Sequence, residues 1–416
     1  MSRPATRPFD ARRNVRLLNL LSFLTQFSPI LAIWVVYLTD YREISLAQVG
    51  IMEGFFWAFK LLLEVPSGAF ADRYGRRLCN VVGVVVEGSG VLAFALAGNF
   101  WLLLFSYMLW SGGIAFRSGN DDAYLYDTLA ADGRQSEYGD RLGVFRALGI
   151  AAFSTGGVLG GFIAAAINLQ VGMLSSLVGY MGAVVVLVFM QEPPRATVTG
   201  APASYATTLR TAVTALRRDP ALRWMIALEV ALTATFPAHF MLAQPFLGEH
   251  NVDLAWYGVL EVPVRILGAA ALILAGRWIR LVGLSRGLIV SIGLVIAGLL
   301  LLTGLDHVAA FAGFGLLQLG TGLAFPAISV YINERTESHV RATILSVAPF
   351  GTSFAYIAMA PLAGVVGDSS LQLAFGMTAA LVGLSCGLIW LTWRKADRGF
   401  AATVIVPVAV EEAGDP

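Results

Sequence analysis

Apolar residues along this chain gather into runs too long for the core helices of a water-soluble domain. A helix that crosses a bilayer needs about 20 mostly apolar residues. Twelve such runs are present, at 15–38, 46–70, 78–98, 100–128, 142–167, 170–190, 220–247, 254–276, 284–304, 308–333, 342–366 and 371–394. The pattern predicts an all-α membrane protein with twelve transmembrane helices. The first run is longer than the apolar region of a signal peptide. Its flank, Tyr37-Leu38-Thr39-Asp40, lacks a small-residue cleavage site, so it reads as helix 1.

Polar segments between the runs set the orientation. Of the 28 Lys and Arg residues, Arg42 alone falls on the side opposite the N-terminus, and Lys60, Arg117, Arg146 and Arg265 fall within runs. The rest lie on the N-terminal side, which basic-residue bias makes cytoplasmic. Both termini are then expected inside, in a multi-pass protein of the plasma (inner) membrane.

Composition narrows the function classes. The 416 residues are 57% hydrophobic and 13% charged, against about 25% charged in an ordinary soluble protein. A soluble enzyme and a disordered chain are both excluded. A net charge of +1 gives no basic field for nucleic acid. Two cysteines and four scattered histidines offer no disulfide framework, metal cluster or haem site, so no cofactor is expected. There is no phosphate-binding Gly-rich loop ending in Lys and Ser or Thr, and no catalytic constellation at a shared depth. The chain reads as a non-enzyme.

The stretch 191–219 is the one long polar segment between runs, and it divides the chain into 1–190, 191–219, 220–394 and a tail at 395–416. The two large parts match each other at an offset of 208. The segment from Ile44 to Glu53 lies over the segment from Val252 to Glu261. Pro29 falls on Pro237, Ser45 on Asp253, Gly68 on Gly276 and Gly75 on Gly283. With six helices per half, both halves start inside, and the repeat is parallel about an axis along the membrane normal. That arrangement suits a rocking secondary transporter with its substrate site between the halves.

The loop after the second run reads Gly68-Ala69-Phe70-Ala71-Asp72-Arg73-Tyr74-Gly75-Arg76-Arg77. Its glycines allow close helix approach and a tight turn. Asp72 suits the positive end of a helix, and Arg76 suits bidentate capture of a carboxylate. The loop resembles the signature of the major facilitator superfamily, and its place between helices 2 and 3 agrees. The resemblance covers the whole chain and implies two pseudo-symmetric six-helix bundles. It also implies a conformational latch of Gly68, Asp72, Arg73, Gly75 and Arg76, with Asp72 meeting the start of helix 11 near Arg341 and Ala342, and Arg76 pairing with Asp127. The second half carries Arg280 where the first has Asp72, so the latch is expected to be asymmetric.

Two further resemblances lean toward export. Gly156-Gly157-Val158-Leu159-Gly160-Gly161 is similar to the helix 5 segment of antiporter branches, with Gly157 in place of its Pro and Ala152 in place of its leading Gly. Glu64-Val65-Pro66-Ser67-Gly68 and Ser118-Gly119-Asn120-Asp121-Asp122-Ala123 resemble a bacterial efflux-type branch. Met108 and Leu109 stand where many drug antiporters carry an Arg on helix 4.

Ionisable residues inside spans cost about 2.5–3.5 kcal/mol on insertion scales and usually face a partner or water. Glu53, Lys60 and Glu64 share one helix face, with Lys60 and Glu64 spaced to pair. Glu261 and Arg265 form an i,i+4 pair in the favourable order. Glu53 and Glu261 lie at equivalent depths, roughly 10 Å below the outer surface at 1.5 Å per residue. Each reads either as a packing carboxylate or as a proton site, with Glu53 favoured for the proton. Glu87 has the same two readings. Arg117, Asp121, Asp122 and Arg146 gather toward the cytoplasmic end, as staples between helices 4 and 5 or as a charge switch. In the resembled family, helices 1, 4, 7 and 10 line the cavity, which makes Asn19, Gln26, Tyr107, Trp110, Thr233, His239 and Gln318 the cavity candidates. Few fixed charges and several aromatics suit an amphipathic organic solute.

The sequence therefore predicts a monomeric secondary transporter that exports a small amphipathic compound by proton antiport, with protons binding at one or more of Glu53, Glu87 and Asp121. A nutrient importer and a non-transporting sensor or scaffold are the alternatives.

Overall fold

The computed structural model describes residues 9–194, 214, 216–336 and 338–404. Its punctuation follows the internal repeat. Each half opens on a helix that breaks at a repeat-related proline. Helix α1 runs Ala11–Gln26, then a tight turn begins at Pro29. Helix α7 runs Pro220–Thr233 and restarts as Phe236–Phe240 with Pro237 at its start, then Ala243–Glu249. Proline removes a backbone donor and clashes with the preceding turn, which breaks each span near mid-depth.

The second helix of each half is capped by the repeat-related residue. Ser45 accepts from the Gln48 amide at 3.2 Å ahead of α2, Leu46–Tyr74. Asp253 accepts from the Ala255 amide at 2.8 Å ahead of α8, Tyr257–Val282. Such caps satisfy donors that a helix start leaves free. Each second helix ends on a glycine with φ of +113° (Gly75) or +80° (Gly283), a conformation that disfavours any β-carbon. The chain then turns directly into α3, Arg76–Leu96, or α9, Leu284–Gly304.

The remaining spans are α4 (Phe100–Arg117, resumed as Asn120–Ala130), α5 (Tyr138–Ala166), α6 (Leu169–Ser175 and Leu177–Phe189), α10 (Ala312–Arg335), α11 (Ser338–Gly367) and α12 (Leu371–Val404). Among the described residues, twelve helices are long and apolar enough to cross a membrane. Helix α12 extends into the segment expected as a tail. Asp397 on that extension accepts from Arg335 at 3.0 Å and from Tyr331 at 2.7 Å, which holds it against α10. Most of 191–219 lies outside the described residues.

Within each half, α3 packs on α4 and α9 on α10, with Gly90 against the Trp110 backbone and its repeat mate Gly298 against the Gly313 backbone. Between the halves, α2 packs on α11 and α5 on α8, and the broken end of α1 meets that of α7. These cross-half contacts gather at the side opposite the basic loops. There Gly50 and Gly364 lie against the backbones of Ala360 and Leu46, and Gly161 and Gly258 against those of Leu254 and Gly157. At the basic side, a β-carbon added to Gly68 would meet nothing within 4 Å. Close approach expected at Gly68 is thus absent in this conformer, because the halves diverge there.

Candidate functional site

The divergence leaves a cavity of about 800 Å³ between the halves, opening toward the basic side. Above it lies a narrower chamber of about 300 Å³. Phe236, Arg265, Gln318 and Thr321 belong to both walls. Each chamber falls within the size range of small-molecule sites.

The C-terminal half contributes a polar chain. Glu261 lies 3.3 Å from Arg265 and 3.3 Å from Nε2 of His239. Nδ1 of His239 lies 3.3 Å from Nε2 of Gln318. The set is self-consistent when Nε2–H of His239 donates to the carboxylate and Nδ1 accepts from the amide of Gln318. Arg265 also reaches the other half, its guanidinium 4.1 Å from the Phe153 ring centre on α5, a cation–π contact.

The N-terminal half contributes a buried knot around Arg117. Its guanidinium donates to Glu87 at 2.7 Å and to the Thr25 hydroxyl at 2.8 Å, and lies 3.6 Å from Asp121. Tyr180 donates to the other oxygen of Glu87 at 2.9 Å. The knot ties α1, α3, α4 and α6 together. Nearer the opening, Arg146 donates to Asp122 at 2.6 Å, joining α5 to α4. The four charges expected as one cluster are two units: Asp122 and Arg146 staple, while Arg117 turns inward to Glu87.

Glu53 is set apart from Glu87, Asp121, Asp122 and Glu261 by its surroundings. It is 1% exposed. The hydroxyl of Tyr107 donates to its Oε1. Its Oε2 is buried without a hydrogen-bond partner among the described residues, with Trp57 and, from the other half, Tyr356 close by. No Lys, Arg or His among the described residues lies within ion-pair distance of it. Glu53 therefore sits in the α2–α11 seam among neutral groups, whereas its repeat mate Glu261 holds two cationic or cationisable partners.

Lys60 does not pair with Glu64. Its ammonium sits 4.8 Å from the Trp57 ring centre and lines the lower chamber. Of the cavity candidates, Gln26, His239 and Gln318 line a chamber. Asn19, Tyr107, Trp110 and Thr233 line neither. Tyr107 and Trp110 are absorbed in an aromatic cluster with Phe56 and Phe94. Thr233 donates to its own helix at the Glu229 carbonyl, 2.9 Å away. Trp57, Phe153, Phe236 and Tyr356 line the walls instead.

In the signature loop, Arg76 donates to Asp127 at 3.1 Å. The backbone amides of Arg76 and Arg77 donate to the Glu192 carboxylate at 2.7 and 2.8 Å, so this acid caps α3. Arg73 lies over the Tyr74 ring at 5.3 Å. The Arg341 side chain and its expected contact with Asp72 lie outside the described residues.

Two polar locks close the side opposite the opening, and no sequence pattern pointed to either. Gln244 of α7 accepts from the Val35 amide and donates to the Leu31 carbonyl, both at 2.9 Å. It thereby satisfies backbone groups that the Pro29 break leaves exposed. Asp368, after α11, accepts from the amides of Leu46 and Ala47 at 2.7 and 3.0 Å and so caps α2 from the other half. Replacing Asp368 with Ala should cost this closure about 0.5–2 kcal/mol, the usual worth of a helix cap. The expected readout is faster labelling of a cysteine at Ala32 by an impermeant thiol reagent added from the closed side. Labelling at the wild-type rate would show that the cap contributes nothing to closure.

Fold and cavity together define a class: a polytopic helical protein whose two repeat-related halves enclose a solute-sized chamber open on one side. The Major Facilitator Superfamily profile matches residues 17–268. The chain belongs to this family of transporters. An "Uncharacterized MFS-type transporter YxaM" of Bacillus subtilis (strain 168) is 44% identical over 52 residues, and the match spans 12% of this chain and 12% of that relative. Solved structures share the fold. Nucleoside transporter NupG superposes with a TM-score of 0.75 at 14% identity, over 92% of this chain and 99% of its own. A bacterial homologue of the human lysosomal transporter Spinster, inward-facing and unoccupied, gives 0.71 at 16% identity, over 95% and 99%.

Proposed function

We propose that this protein is a proton-coupled secondary transporter that exports a small amphipathic organic compound by alternating access. It would act in the plasma membrane with both termini in the cytoplasm. The cavity then faces the cytoplasm, and the glycine seams with Gln244 and Asp368 form the closed outer gate. The halves 1–190 and 220–394 rock about the chamber, and the Arg76–Asp127 pair belongs to the latch that stabilises the opposite closure.

The observation that carries proton coupling is the setting of Glu53. A carboxylate buried without a cation is costly ionised and cheap protonated. Its Tyr356 neighbour lies across the seam, so separating the halves exposes the acid and removes that penalty. Trp57 and Tyr356 also line the upper chamber, which gives a proton a route between Glu53 and the solute site. Because the acid is comfortable in this closure only when protonated, proton uptake favours this state and release favours departure from it, as exchange requires.

The test is solute-driven proton movement in inverted vesicles, followed with a pH-sensitive dye. Wild type should dissipate an imposed gradient when a transported solute is added. Glu53→Gln should lower that response at least tenfold while solute binding to the purified protein persists. An undiminished proton response in Glu53→Gln would remove Glu53 from the coupling path.

A further inference from the structure

The charges on the cavity wall do not cancel evenly, and the imbalance points to the solute. Four cations line the lower chamber: Lys60, Arg117, Arg146 and Arg265. Each arginine already holds a carboxylate: Arg117 holds Glu87 and Asp121, Arg146 holds Asp122, and Arg265 holds Glu261. Lys60 alone has no carboxylate within ion-pair distance among the described residues. Its near neighbour is the face of Trp57. Glu64, one turn along α2, acts on it only from beyond ion-pair distance, and an ammonium at membrane depth is costly without a contacting counter-charge, so that contact is to be sought in what the cavity admits.

Position strengthens the reading. Lys60 belongs to α2 of one half and Arg265 to α8 of the other, and both line the same chamber. Arg265 makes a single contact with Glu261, at 3.3 Å, and a guanidinium has five donors. An anion between them would bind both halves at once, the contact that rocking requires. Trp57, Phe153 and Phe236 form flat walls around these cations. The carboxylates on the wall are already committed to wall arginines, which disfavours a cationic solute.

We infer that the cavity binds an aromatic organic anion, its carboxylate between Lys60 and Arg265 and its ring among Trp57, Phe153 and Phe236. This rests on the transporter reading above and names its solute class. An anion leaving the cell and a proton entering both carry positive charge inward, so a negative-inside membrane potential drives the exchange twice over.

The test is equilibrium binding to the full chain purified in detergent, with 1-naphthoate and indole-3-acetate as probes. Their uncharged amides and tetraphenylphosphonium serve as comparisons. The carboxylates should bind saturably and at least tenfold more tightly than their amides. Lys60→Met should abolish that preference, and Lys60→Arg, which keeps the charge, should retain it. The elution profile of each variant checks its folding. Equal binding of acids and amides, preference for the phosphonium, absence of carboxylate binding, or full carboxylate affinity in a folded Lys60→Met would each overturn the assignment. Proton exchange with a neutral or cationic solute would do so while leaving the coupling reading intact. Carboxylate binding without any proton movement would retain the anion site and sink the coupling.

Discussion

Gly258→Leu is expected to yield a folded protein that no longer transports. Gly258 lies on α8, where it crosses α5 of the other half. A β-carbon there would collide with the Gly157 carbonyl group and come within 2.6 Å of the Val158 amide nitrogen. The obstacle is backbone on both helices, so no side chain can swing away to relieve it. Overpacking of this kind costs about 1–3 kcal/mol or more. That cost falls on a contact between the halves, not on one within either half. It therefore penalises only the conformer in which this side is closed, and shifts the population away from it by about 5- to 150-fold. A cysteine at Ala32, in a background lacking Cys79 and Cys386, should become reactive to an impermeant reagent added from the closed side. Two further variants mark the limits. Gly90→Leu strikes the Trp110 backbone within one half and should damage folding itself. Gly68→Leu meets open space and should leave this conformer undisturbed. Normal transport by Gly258→Leu would mean that the closed side does not close as described.

Arg117→Met should destabilise the N-terminal half strongly. The side chain is held at 2.7 Å by Glu87, a residue 4% exposed, and bridges to Thr25 and Asp121. Removing the guanidinium leaves a buried carboxylate at Glu87 without a cation, and breaking a buried pair from one side costs about 3–5 kcal/mol. The same principle predicts recovery. Replacing both members, as Arg117→Met with Glu87→Met, removes the charge and its partner together, and should regain more than half of the loss. Thermal unfolding of the two single variants and the double variant in one detergent forms a double-mutant cycle. Strict additivity would show that Glu87 and Arg117 are independent, and the knot would then carry no weight.

Much of this architecture is legible in the sequence because it depends on local chemistry. Span count follows from apolar length. The breaks at Pro29 and Pro237, the caps at Ser45 and Asp253, and the turns at Gly75 and Gly283 follow from backbone rules, and their recurrence at one offset exposes the duplicated plan. The pairing of residues distant in the chain does not follow. Gln244 and Asp368 act on backbone groups of the other half, and a backbone group carries no sequence label. Tyr107 and Trp110 look like cavity residues by helix and depth, but the rotation of α4 turns them into an aromatic cluster.

The clearest case is a pair of identical spacings. Glu261 and Arg265 stand four residues apart and lie 3.3 Å apart. Lys60 and Glu64 stand four apart and make no ion pair, because the reverse order is the weaker one on a helix and Trp57 offers Lys60 a competing face. Sequence alone determined the twelve spans, the twofold repeat and the supply of buried charge, since each depends on neighbours along the chain. Tertiary structure decided which charges meet and which face the cavity, since electrostatic partnership is set by distance through space.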